Sequence, residues 1–149
     1  MAFNLNIIRL LYVFICITIG QAHAETSIYA ADGYITTDVT WTKENSPYVL
    51  YADVQVARRV GSLTIHEGVE VIGNGKRIKV GNSLSILGEE KSRVILESVN
   101  IEPADYADKI NININYTDMK RGQIRFSDNQ RRADGFSLKY STLDRVRVN

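Results

Sequence analysis

The sequence predicts an all-β protein of the β-solenoid class, a chain coiled through short parallel strands. Three observations predict it. From Trp41 to Ser98, apolar residues alternate with polar ones for three or four positions, a glycine or charged corner intervenes, and the alternation restarts. The apolar sets recur at one-turn distances: Val54 to Ile78 is 24 residues, Leu63 to Leu84 is 21, and Val69 to Val94 is 25. Gly61, Gly68, Gly73, Gly81 and Gly88 fall at the corners between sets. Inward Val, Leu and Ile of one turn then stack on those of the next, and polar residues face water.

The elements follow in order. Leu10 to Ile19 is an apolar run behind Arg9, and Ala22-His23-Ala24 supplies a small-x-small cleavage pattern, so residues 1–24 read as a signal peptide removed after Ala24. The run is too short to serve as a membrane anchor. Cys16 lies mid-run rather than at a cleavage point, which argues against lipid attachment. Its loss with the leader leaves a mature chain without thiols, held by backbone pairing and an apolar core. The 149-residue chain has 18 basic and 17 acidic residues, and removing Arg9 leaves 17 of each. That balance points away from a nucleic-acid partner.

Residues 25–47 are expected as a lead-in and N-terminal cap, with one strand around Tyr34–Val39. Trp41 suits a cover over the first coil, whose apolar interior would otherwise meet water. A sugar-stacking tryptophan is the functional alternative. The solenoid domain is expected over 48–149, in four to five turns. Its first strands centre on Val54/Val56, Leu63/Ile65, Val69/Val71, Ile78/Val80, Leu84/Ile86 and Val94/Leu96. No window holds a helical apolar stripe. Beyond Glu97, Ile110, Ile112 and Ile114 alternate with Asn111, Asn113 and Asn115 as a one-sided strand. Ile124/Phe126, Phe136/Leu138 and Leu143/Val146/Val148 resume the rhythm, with Ile124 to Val146 as one 22-residue turn. No closing cap is visible at Asn149, so the domain is expected to be incomplete at its C-terminus or to associate end to end there.

Read together, Trp41, Ser46-Pro47-Tyr48-Val49-Leu50, Leu63-Thr64-Ile65-His66-Glu67-Gly68-Val69-Glu70-Val71, Leu84-Ser85-Ile86-Leu87-Gly88 and Val94-Ile95-Leu96-Glu97-Ser98 resemble the start of bacterial secreted right-handed parallel β-helix proteins, the pectin-lyase-like superfamily. The family's usual Glu-Pro-Gly corner is His66-Glu67-Gly68 here. The resemblance implies architecture more than activity. Enzymes of that fold act on acidic polysaccharides with carboxylates and basic residues on the outer face of adjacent turns.

Stacked turns lie about 4.8 Å apart, so Asp105 with Asp128, and Asp108 with Arg131, could be one-turn neighbours. The bland reading, a solvated ion-pair face, is favoured. His66, the only histidine after cleavage, has no second histidine or cysteine with which to hold a metal or complete a triad. Tyr106, Tyr116 and Tyr140 are candidates for a sugar-binding edge, against ordinary packing. Asn115-Tyr116-Thr117 matches a glycosylation sequon. Arg121, Arg125, Arg131, Arg132, Arg145 and Arg147 are diluted by Asp118, Asp128, Asp134 and Asp144. No residue is assigned a catalytic, cofactor-binding or metal-binding role. The expectation is an exported, secreted, periplasmic or surface module, non-catalytic, with a polysaccharide or cell-surface glycan as partner. The rival is a lyase or hydrolase of acidic polysaccharide.

Overall fold

The computed structural model describes residues 24–105, 107–126 and 133–149, with the backbone alone for Ala133 and Asp134. The expected leader, Ala24 apart, lies outside them.

Alternation becomes strand wherever inward aliphatics can stack on a neighbour. The first winding is β1 (Thr26–Ile28), β2 (Tyr34–Ile35) and β3 (Asp38–Trp41). The second is β4 (Tyr48–Leu50), β5 (Val54–Val56) and β6 (Ser62–His66), and the third β7 (Glu70–Ile72), β8 (Arg77–Val80) and β9 (Ser83–Leu87). The fourth is β10 (Val94–Glu97), β11 (Asn100–Pro103) and β12 (Ile110–Asn115), and the fifth β13 (Thr117–Lys120), β14 (Gln123–Ile124) and β15 (Ala133–Lys139). A sixth begins with β16 (Thr142–Asp144) and β17 (Arg147–Val148). Every third strand joins the same sheet: β1-β4-β7-β10-β13-β16 (sheet A), β2-β5-β8-β11-β14-β17 (sheet B) and β3-β6-β9-β12-β15 (sheet C). All pairings between these strands are parallel, so among the described residues the protein is a parallel β-solenoid of about five turns without an α-helix.

The core is built of columns of apolar side chains contributed by all three sheets. On sheet C, Leu63, Leu84 and Ile112 lie side by side, as do Ile65, Ile86 and Ile114. Sheet B aligns Val54, Ile78, Ile101 and Ile124. Sheet A aligns Val71, Leu96, Met119 and Leu143. Most of these side chains are fully buried, each removing on the order of 2 kcal/mol of apolar exposure. The one-turn spacings from Val54 and from Leu63 match the registers.

Two elements differ from the sequence reading. Residues 26–41 are not a cover laid over the stack but a winding of it, pairing with β4, β5 and β6. Each of these short strands buries essentially one inward residue, Ile28, Ile35 or Trp41, too few to register as alternation. Trp41 is 4% exposed and stacks on Tyr48 at 4.6 Å, which removes it as a sugar platform. At the other end, Ile124 pairs with Val148 rather than Val146, 24 residues on instead of 22. Val146 sits at the corner before Arg147, the place Val99 holds before Asn100 two windings earlier.

Corners follow a repeating geometry. After each sheet A strand from β7 onward comes a residue with positive φ: Asn74, Ser98, Arg121 and Arg145. The Ser98 and Arg121 amides donate to Lys120 and Asp144 on the next winding, so the strained conformation is held by inter-winding bonds. Gly88 is required for space: a Cβ there would run into the Tyr116 carbonyl oxygen. The Ser46–Pro47 peptide is cis.

Replacing Ile86, held between Ile65 and Ile114, with Ala is expected to cost about 2–5 kcal/mol. Leu143→Ala, in the partly exposed last winding, should cost less than half of that. Urea unfolding midpoints at unchanged m-value provide the comparison.

Candidate binding surface

Outward positions follow from the same registers. Sheet A carries Glu97, Lys120 and Asp144 in line on successive windings, alternating in sign; Glu97 is also ion-paired with Arg121. Sheet B carries Gln55, Lys79 and Glu102 in one row and Arg77, Asn100, Gln123 and Arg147 in another. Asp53 lies 3.7 Å from Arg77 and 3.9 Å from Lys79, and Glu102 lies 3.7 Å from both Arg77 and Arg125. These faces carry charges of both signs, several of them ion-paired between windings.

Sheet C is different. One outward row reads Asp38, Ser62, Ser83, Asn111 and Gly135, and the next Thr40, Thr64, Ser85, Asn113 and Ser137. Asp38 is the one ionisable side chain among those described in the two rows, and it accepts a 2.8 Å bond from the Ser62 hydroxyl. A third, shorter row of His66, Leu87, Asn115 and Lys139 borders them. A depression of about 370 Å³ opens beside the first row, lined by Asn82, Ser83, Lys109, Asn111 and Gly135.

The corner from sheet C to sheet A carries an aromatic stack. Tyr116 and Tyr140, each at positive φ, lie one winding apart with rings 4.7 Å apart and nearly parallel. Arg93 braces them: its Nε donates to Asp118 (2.9 Å), an Nη donates to the Tyr140 carbonyl (2.7 Å), and the guanidinium lies 5.9 Å from the Tyr116 ring centre. Tyr140 is 68% exposed. A second stack, Tyr29 on Tyr51 at 5.1 Å, follows β1 and β4. Tyr51 donates a 3.2 Å bond to Glu25, which raises its phenol above the usual 10.0.

The sequence candidates fare differently. Asp105 is exposed after β11, while Asp128, Arg131, Arg132 and Tyr106 lie outside the described residues. Asp108 reaches back two windings to Arg58 (3.0 Å) and Arg59 at the β5–β6 corner. It does so across the tight Gly81-Asn82 corner of the third winding. These arginine hydrogen bonds, Arg59 first, hold the Asp108 carboxyl below its ordinary 3.8. His66 is half-exposed, 3.3 Å from the Glu67 carboxylate, on a 320 Å³ recess with Thr42, Lys43, Glu44 and Ser92. Among the described residues, no group of three or more His, Cys, Asp or Glu could hold a metal ion. In the sequon, Thr117 is buried and the Asn115 Oδ1 is enclosed, a poor presentation for a glycan. Arg121, Arg125 and Arg145 each lie beside an acid, so much of the basic last third is neutralised locally.

Sequence reasoning grouped Tyr116 and Tyr140 with Tyr106 as a candidate edge but missed the uncharged face and the Tyr29–Tyr51 stack. The 22-residue spacing of the latter was available. The row from Thr40 to Ser137 was masked by a 28-residue step from Ser85 to Asn113, lengthened by the segment between β11 and β12.

Comparison with protein-family models, curated proteins and solved structures found no match.

A depressed carboxylate pKa contributes stability that is present above the unfolded value and lost as pH falls through the folded one. Local protection of the amides around Asp108 should therefore persist at neutral pH and fall off below about pH 4. Asp108→Asn should abolish that pH dependence with little change in global stability, since the pair is exposed. Hydrogen exchange across pH checks both.

Proposed function

We propose that this chain is an exported, non-catalytic parallel β-helix module of pectin-lyase-like pattern, a scaffold or surface-binding element for carbohydrate. The observation that carries this reading is the pairing of outer carboxylates with cations rather than with one another. Asp53, Glu102, Asp108 and Asp118 each lie within 4 Å of an arginine. A carboxylate engaged in that way faces a cation rather than a second acid with which it could divide acid–base work. Binding asks less of such an exterior, since rows of side chains at fixed spacing need only match a ligand's hydrogen-bonding groups. Export rests on the leader pattern of residues 1–24.

One feature favours the rival reading, a lyase or hydrolase of acidic polysaccharide. A shallow groove of about 410 Å³ runs along the corner of sheets A and B, lined by Asn100, Arg121, Gln123, Arg145 and Arg147. Two of its three arginines already lie beside Glu97 and Asp144, which weakens its pull on a polyanion.

Incubation with pectin, alginate and chondroitin is expected to release no unsaturated or reducing-end product, while a glycan array shows binding. Product release that disappears on changing Asp105 or Asp128 to Asn would replace this reading with the enzymatic one.

A further inference from the structure

We infer that the outer face of sheet C binds a neutral, hydroxyl-rich polysaccharide laid across the windings. The inference rests on the carbohydrate-binding reading above and adds the face and the ligand class. Sheets A and B present charged side chains of both signs among their outward residues, whereas the two main rows of sheet C present hydroxyls and amides, with Asp38 at one end. Charged ladders suit water and ions. A face of small dipoles gives up no ionic hydration when covered, so its natural complement is a polymer without charge.

The groups on this face are also unspent. Among the described residues, Thr40, Thr64, Ser83, Ser85, Asn113 and Ser137 make no side-chain hydrogen bond, while Ser46, Asn74 and Asn82 at the corners and Asn100 at the start of β11 bond backbone of adjacent windings. Each hydroxyl or amide both donates and accepts, as sugar hydroxyls do. Short side chains lose little rotamer entropy on binding, and Thr is stiff at χ1. From β3 to β12 the register runs without a shift. The rows thus repeat at about 4.8 Å along the stack and span about 19 Å over the five strands, enough for several sugar units in line.

Two neighbouring features fit the same ligand. The 370 Å³ depression beside Ser83, Asn111 and Gly135, with Lys109 in its wall, borders the first row and can accept a projecting hydroxymethyl or acetamido group. The Tyr116–Tyr140 stack stands at the border of the face beside Asn115 and Lys139, offering an exposed aromatic surface for the apolar side of a sugar ring.

Co-sedimentation of the full chain with insoluble cellulose, chitin, mannan and xylan, beside polygalacturonate and alginate, tests the inference. The expected result is retention on at least one neutral polymer. Thr64→Val, Ser85→Ala and Asn113→Ala together should weaken it at least tenfold, as should Ser85→Lys alone, with melting temperature preserved. Lys79→Ser on sheet B should change nothing. Neutral-polymer binding that survives the sheet C substitutions, or binding of acidic polymers only, overturns the assignment and leaves the binding-module reading standing. Retention on no polymer overturns the assignment as well. Product release from any polymer overturns the module reading itself. Shaping of growing ice crystals without polymer retention would give the face to an ice lattice and equally overturn the proposal.

Discussion

Each winding of this protein depends on the next for its interior. A single turn of three short strands cannot close around its own aliphatic side chains, and becomes stable only where a second turn lays its own Leu, Ile or Val beside them. The alignments of Leu63 with Leu84 and Ile112, and of Val54 with Ile78, Ile101 and Ile124, are that constraint in atomic form. Because side chains alternate faces, a slip of one residue in any winding would turn its apolar set outward. Register, corner geometry and the order of the outer rows all descend from this requirement. The ends of the column carry rings, with Trp41 on Tyr48 at one and Phe126 edge-on to Phe136 at the other.

Fixing the interior leaves the exterior free to diverge, and the three faces have done so. Sheets A and B used their outward positions for charges of both signs, as in the row of Glu97, Lys120 and Asp144 and in the ion pair of Arg77 with Asp53. Such exposed pairs contribute little individually and serve mainly to keep a regular surface solvated. Sheet C holds Ser, Thr and Asn at equivalent positions. Strand pairing alone does not demand that difference.

Much of the architecture was legible because inward residues obey a period of two and most windings recur after 21–25 residues, the 28-residue step into β12 apart. The first winding was not. Its strands bury Ile28, Ile35 and Trp41 one at a time, and a lone apolar residue has no period. The last turn was misjudged by two residues because Val146, apolar like an inward residue, occupies a corner against the core. At the surface, 24-residue arithmetic was enough to bring Tyr116 to Tyr140, since no insertion separates their windings. The Asp108 contacts with Arg58 and Arg59 span two windings and depend on a tight corner between them, which no spacing rule expresses. The hydroxyl rows were readable residue by residue, yet their meaning lies in a contrast among faces that appears only when the chain is wound.

The central claim, windings stacked in fixed register, can be tested directly by cross-linking. Thr64 and Ser85 are outward partners on adjacent strands, at a separation of about 4.8 Å that a disulfide can bridge. In a background with Cys16 replaced by Ser, the double variant Thr64→Cys/Ser85→Cys should form an intramolecular disulfide in high yield on mild oxidation. Thr64→Cys/Leu84→Cys, whose second thiol faces the core, should not. Absence of the first cross-link, or equal yield from both pairs, would contradict the register on which every outer row depends.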